Sequence, residues 1–193
     1  RFSILFLDMD HFKAVNDTHG HLIGSRLLYE VGQEIKRTLR ESPCHFKVVL
    51  NSVPMTDMPE FWSTATDTWE GHQGQRNEIL DLIEQEGIQN VWFLSGDFHV
   101  GFVSRLEKTG FRSGLREIAV GPGGNDGNPA GILAEHLPVL RARIFPEEQF
   151  EYGSTRLAMT TLRFDPLNDT VRVRFVDAAT RRVLFDQELR SGV

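Results

Sequence analysis

Cysteine, basic tracts and long apolar runs are what this sequence has least of. Cys44 is the only cysteine in 193 residues, so no internal disulfide can form, and cysteine usage leaves the redox compartment open. No segment approaches the about 18 consecutive apolar residues of a membrane-spanning helix, which argues against a span. Acidic residues outnumber basic ones 27 to 21, a formal net charge of −6, and no basic tract offsets it. That balance argues against a nucleic-acid partner. The charge is uneven: Arg1 to Pro43 carries six acidic and six basic residues, so all of the excess lies downstream. The chain opens on Arg1-Phe2-Ser3 with neither an initiator Met nor a signal peptide, as expected of a fragment, with the cytoplasm as the default location. What is present is ordinary for a globular protein. Forty per cent of residues are hydrophobic and 25% charged, enough to bury a substantial core.

Phe2 to Leu7 is a short apolar run that predicts a buried strand, ending at Asp8-Met9-Asp10. A helical pattern follows, with Leu27, Leu28, Val31, Ile35 and Leu39 on one face, opposite Glu30, Glu34, Lys36 and Arg37. Strand, acidic loop and helix make an α/β opening, and a carboxylate at a strand's carboxyl end faces the crevice where such sheets bind ligands.

The segment Leu7-Asp8-Met9-Asp10-His11-Phe12-Lys13, followed by Asn16-Asp17, Gly20-His21 and Gly24, resembles the start of GGDEF-type diguanylate cyclases over about 40 residues. By that resemblance Asp8 would bind Mg²⁺, Lys13 would lie by a triphosphate and Asn16 would contact guanine. Two departures set limits. Ser25 stands where the family usually has Asp, and the glycine-rich signature turn is replaced by Val48-Val49-Leu50-Asn51-Ser52. A cyclase needs its metal, triphosphate and base sites together, so this segment is expected to be a vestige and not a working cyclase.

Downstream, Phe46 to Leu50 reads as a strand and Arg76 to Glu86 as a helix. The helix carries Ile79, Leu80, Leu82 and Ile83 at helical spacing and is closed by Gly87. Val91 to Leu94 is an apolar strand, and Gly96 permits a sharp turn at its end. Beyond it come Asp97 and His99. On an extended backbone, positions i and i+2 project to one side, so this carboxylate and imidazole are expected to converge. The pairing suits Zn²⁺, Fe or Mn²⁺, with Ca²⁺ possible through the carboxylate.

A lone Gly-Asp-x-His is weak evidence, but its surroundings are specific. Lys47 to Asn51, then Asp67-Thr68-Trp69-Glu70-Gly71 with Arg76, then Asn90 to His99, resembles PhoD-like alkaline phosphatases, from about Phe46 to the carboxyl end. The resemblance implies a metallophosphoesterase-like α/β fold: a mixed sheet with helices, here incomplete, and a carboxy-terminal antiparallel β meander. It implies metal ligation by Asp97 and His99, and positions on or near an active-site wall for Asn51, Asp67, Trp69 and Arg76. The implied substrate is a phosphate ester, and such enzymes are often exported. The family's amino-terminal metal-binding segments are not found in this sequence, so low or no activity is expected.

The remainder reads as scaffold. Gly121-Pro122-Gly123-Gly124-Asn125-Asp126-Gly127-Asn128-Pro129 lacks the Lys-Ser/Thr ending of a phosphate-binding P-loop and is read as an irregular loop. Leu157 to Phe164, Val171 to Asp177 and Val183 to Leu189 are strand-like, and Val171, Val173 and Phe175 alternate with Arg172, Arg174 and Val176. Two segments are therefore expected, a cyclase-like piece over 1–43 and a phosphatase-like piece over 44–193. Three functional readings follow: a metal-dependent phosphoric ester hydrolase, a cyclase remnant holding a guanine nucleotide or Mg²⁺, and a non-functional fusion. Oligomeric state is left open.

Overall fold

A computed structural model describes residues 2–6, 12–62, 69, 73–124 and 129–192. Strand β1 (Phe2–Phe6) leads to helices α1 (Phe12–His19) and α2 (His21–Glu41), and the chain returns in β2 (Phe46–Asn51). Helix α3 (Gln73–Gln85) follows, then β3 (Val91–Ser95), β4 (Gly101–Arg105) and β5 (Arg116–Ala119). Helices α4 (Pro129–His136) and α5 (Pro138–Ile144) precede β6 (Phe150–Ser154) and a closing run of β7 (Ala158–Asp165), β8 (Thr170–Asp177) and β9 (Val183–Leu189).

The first sheet has the order β1-β2-β3-β5-β4-β6. Its first four strands are parallel, with Phe2 opposite Phe46, Lys47 opposite Val91 and Trp92 opposite Arg116. β4 runs antiparallel to both β5 and β6. The parallel part reads as near-continuous apolar sequence because both of its faces are covered. Val49, Val91 and Phe93 face α2 and α3, where Ile35, Leu39, Ile79, Leu80 and Ile83 complete one core. Phe46, Val48, Trp92 and Ile118 face the other way, onto Val171, Val173, Phe175 and Leu189 of the antiparallel sheet β7-β8-β9. The result is the mixed α/β fold with a carboxy-terminal meander that the sequence predicts.

Helix α3 stops where its chemistry requires. Gly87 adopts φ 59°, the Ile88 N–H donates to the Ile83 carbonyl at 2.9 Å, and the Gly87 N–H donates to that of Glu84 at 3.2 Å, the paired bonds of a Schellman cap. Helix α2 meets its expected stripe only in its second half. Ile35 and Leu39 are buried, whereas Leu27 is 39% exposed. The amino-terminal segment is thus built into the same core: β1 lies in the sheet and α2 is part of the helical layer.

Candidate active site

β3 lies inside the sheet, with parallel neighbours on both sides, and Val91, Trp92 and Phe93 are fully buried. The ladder extends one step past the strand, where the Val120 N–H donates to the Ser95 carbonyl at 2.8 Å. After Gly96 the backbone turns abruptly: the Phe98 N–H donates to the Gly96 carbonyl at 2.6 Å, and Asp97 (φ 54°) and His99 (φ 57°) are both left-handed. Left-handed backbone costs an L-residue about 1–2 kcal/mol and persists only where surrounding packing enforces it. Here the packing is aromatic. The Phe98 ring sits edge-to-face on Trp62 at 4.9 Å and near Phe102 at 6.4 Å, and Trp62 Nε1 donates to the Ile144 carbonyl at 3.3 Å. Val100, next in line, is fully buried.

With Phe98 and Val100 anchored, exposed Asp97 and half-buried His99 line one open cleft of about 440 Å³, shared with Gly96, Val120 and the segment Gly121 to Gly124. The route differs from the sequence expectation. The backbone there is not extended: both residues line the cleft from left-handed conformations that flank an anchored phenylalanine.

The other residues singled out in the sequence scatter. Asn51, at the end of β2, is the register partner of Ser95 and so shares the carboxyl edge from which the Asp97 loop springs. Its Nδ2 is buried without a hydrogen-bond partner among the described residues. Trp69 is half-buried against the helix-side core. Arg76 is 2% exposed and acts as an internal clamp, away from the cleft lining: Nε donates to the Met55 carbonyl at 2.7 Å, Nη2 to that of Leu106 at 3.4 Å, and Nη1 pairs with Glu107 at 3.2 Å. Lys13 and Asn16 fall on α1, with side chains outside the described set, and Asp8 and Asp67 lie outside the described residues.

Sequence reasoning missed Glu117. It lies fully buried on β5 and accepts hydrogen bonds from the Met55 N–H at 2.9 Å, the Thr56 N–H at 2.7 Å and Thr56 Oγ1 at 2.6 Å; Thr56 Oγ1 in turn lies 2.7 Å from Ser104 Oγ. Burial pushes its carboxyl above the usual range, against the pull of the Thr56 and Met55 donors. The Met55 main chain therefore joins two buried ionisable groups, its N–H donating to Glu117 and its carbonyl accepting from Arg76. This staple fixes the loop that leaves β2 on the site edge. No local signal marks Glu117, because its partners lie 61 and 62 residues away in sequence.

Asp97 and His99 are a hard oxygen and an imidazole nitrogen, a donor pair found at Zn²⁺, Mn²⁺ and Fe sites. Among the described residues no group of three or more His, Cys, Asp or Glu side chains converges. The pair fits a share of a metal's coordination shell, not the whole of one.

The profile of the PhoD-like phosphatase family matches residues 9–158, and the chain belongs to that family. A solved structure of PhoD superposes with a TM-score of 0.60 at 15% identity, covering 83% of this chain and 31% of the PhoD chain, so the two share a fold. Other similarities are short. The bifunctional diguanylate cyclase/cyclic di-GMP phosphodiesterase MucR of Pseudomonas aeruginosa is 52% identical over 40 residues, 21% of this chain and 6% of that protein. The uncharacterized protein YhcK of Bacillus subtilis is 40% identical over 42 residues, 22% of this chain and 12% of its own. The probable diguanylate cyclase DgcC of Escherichia coli K12 is 32% identical over 59 residues, 27% of this chain and 16% of its own. The chain thus spans a small part of each curated relative and under a third of PhoD, and phosphatase-like and cyclase-like sequence coexist in it.

Proposed function

We propose that this chain is the carboxy-terminal part of a metal-dependent phosphoric ester hydrolase, to which it contributes Asp97 and His99 as metal ligands. The observation that carries the reading is the strained loop after β3. Two left-handed residues with opposite chemistry, pinned by Phe98, line one cleft at the carboxyl edge of a parallel sheet, in a member of the PhoD-like family. Such strain is a recurring mark of functional sites. Ca²⁺, Fe, Mn²⁺ or Zn²⁺ suits this donor pair, and when bound supplies a polarised water and neutralises phosphoryl charge. The chain's own residues position and bind. Gly96 bends the strand end, Phe98 orients the two donors, and Asn51 offers an unsatisfied amide on the same edge.

Two donors leave a hydrolytic site incomplete, so the chain alone is expected to bind metal weakly and to turn over a generic phosphomonoester poorly or not at all. p-Nitrophenyl phosphate turnover with each of the four metals, beside Asp97→Ala, tests this. Negligible turnover in both proteins is the expected result. Robust turnover abolished by Asp97→Ala would mean that other residues of this chain complete the site, and the incomplete reading would be wrong.

A second reading draws on the 40-residue match to a diguanylate cyclase protein: residual guanine nucleotide and Mg²⁺ binding through Asp8, Lys13 and Asn16. Saturable GTP binding that requires Mg²⁺ and disappears in Asn16→Ala would support it; no binding at millimolar GTP would remove it.

A further inference from the structure

Asp97 and His99 share their cleft with the segment Gly121-Pro122-Gly123-Gly124, and its glycines call for different explanations. Gly121 lies close against Gly101. A Cβ on Gly101 would come within 2.9 Å of the Gly121 Cα, whereas a Cβ on Gly121 would meet the Ala158 methyl at an ordinary 3.5 Å. The segment is also tied at both ends, by the Val120 N–H bond to Ser95 and by the Ala158 N–H bond to the Pro122 carbonyl at 3.1 Å. Gly123 and Gly124 have no such neighbours. A Cβ on either would meet nothing within 4 Å, and neither has a positive φ. The fold does not demand glycine at these two positions.

What they give the cleft is bare main chain. Among the described residues, the N–H groups of Gly121, Gly123 and Gly124 have no hydrogen-bond partner, while Val120 just before them and Ala158 beside them do. Three unpaired main-chain donors on a tethered segment that lines the cleft suit the oxygens of a tetrahedral anion better than a cation or an apolar group.

We propose that the Gly121–Gly124 segment is the anion-receiving wall of this cleft, its main-chain N–H groups taking the phosphoryl oxygens of a phosphate ester. The assignment rests on the reading of the Asp97 loop given above, since a phosphate beside Asp97 needs its charge offset. It gives the two edges of the cleft separate tasks: the Asp97 loop holds a cation and the glycine segment holds the anion.

Methylphosphonate serves as a soluble, non-hydrolysable phosphoryl probe, titrated into ¹⁵N-labelled chain with and without Zn²⁺ while amide shifts are followed. Saturable shifts centred on Gly121, Gly123 and Gly124 are expected, strongest with Zn²⁺. Gly124→Pro, which deletes one donor, is expected to weaken methylphosphonate binding by about tenfold, the worth of one hydrogen bond to a charged group, while Zn²⁺ affinity stays unchanged. Gly124→Ala keeps the N–H in open space and should bind methylphosphonate more tightly than Gly124→Pro does. It also supplies the folded comparison if the proline variant is unstable. Zn²⁺ binding with methylphosphonate shifts elsewhere, or proline binding as tightly as alanine, would overturn the glycine wall and leave the Asp97 assignment standing. If Zn²⁺ does not bind, the Asp97 assignment falls. The metal-free titration then decides the wall alone, with shifts at these three amides supporting it and their absence overturning it.

Discussion

Glu117 offers the sharpest test of how the site edge is held. Replacing it with alanine removes the acceptor for the Met55 N–H, the Thr56 N–H and Thr56 Oγ1, all buried. The threonine hydroxyl can turn to Ser104 Oγ, 2.7 Å away, so it loses little. The two main-chain donors have no such alternative, and each buried orphan costs about 1–3 kcal/mol. With the lost side-chain packing, Glu117→Ala should destabilise the protein by about 3–5 kcal/mol, a large part of the about 5–15 kcal/mol of a typical domain. Glu117→Gln keeps one oxygen for the Thr56 donors and should cost far less, about 1 kcal/mol near pH 5. The pH dependence has a definite sign. Burial raises the folded-state carboxyl above its ordinary value of 4.5, so the folded chain holds this proton more tightly than the unfolded chain. That contribution is fully present below pH 4.5 and is lost as pH rises through the raised value. The Glu117→Gln variant has no proton to lose at this position, so its stability relative to the parent should improve as pH increases. Urea unfolding of the parent and both variants between pH 4.5 and 8 measures all of this. A Glu117→Ala cost below about 1 kcal/mol, or a relative stability of Glu117→Gln that falls as pH increases, would refute the reasoning.

Two further outcomes follow from packing and strain. His99→Gly should release left-handed strain and raise unfolding stability by about 0.5–1 kcal/mol while removing metal affinity; a loss of more than about 1 kcal/mol would show that the loop is not strained there. Ile35→Ala, at a site 1% exposed between α2 and the sheet, should cost about 2–5 kcal/mol in a single cooperative transition. A separate early transition, or a negligible cost, would show the amino-terminal segment to be an independent appendage.

Much of the fold is legible where one physical rule dominates. β8 shows its buried face because Val171, Val173 and Phe175 alternate with wetter positions, and all three are fully buried. α3 shows its end because Gly87 can adopt the left-handed cap. β4, β5, β6 and the pair α4 and α5 escape the sequence reading. β4 and β6 are five-residue strands, β5 has four, and β6 carries Gly153. Gly131 and Pro138 interrupt the helical pattern across α4 and α5, although Pro138 is well placed in the first turn of α5. The Asp97 loop is legible as a motif, but not its conformation, because left-handed backbone at Asp97 and His99 is imposed by Phe98 on Trp62, 36 positions earlier in the chain. Glu117 is illegible for the same reason: a buried carboxylate and a solvated one look alike until distant donors meet it.

If Asp97 and His99 form one metal-holding edge, each should be needed for metal binding. Mn²⁺ titration followed by electron paramagnetic resonance, on the parent chain and on Asp97→Ala and His99→Ala, reads this out. One weak, saturable Mn²⁺ site is expected in the parent, weakened by about tenfold or more in each variant. Mn²⁺ binding unaffected by either substitution, or no saturable binding by the parent at millimolar Mn²⁺, would contradict it.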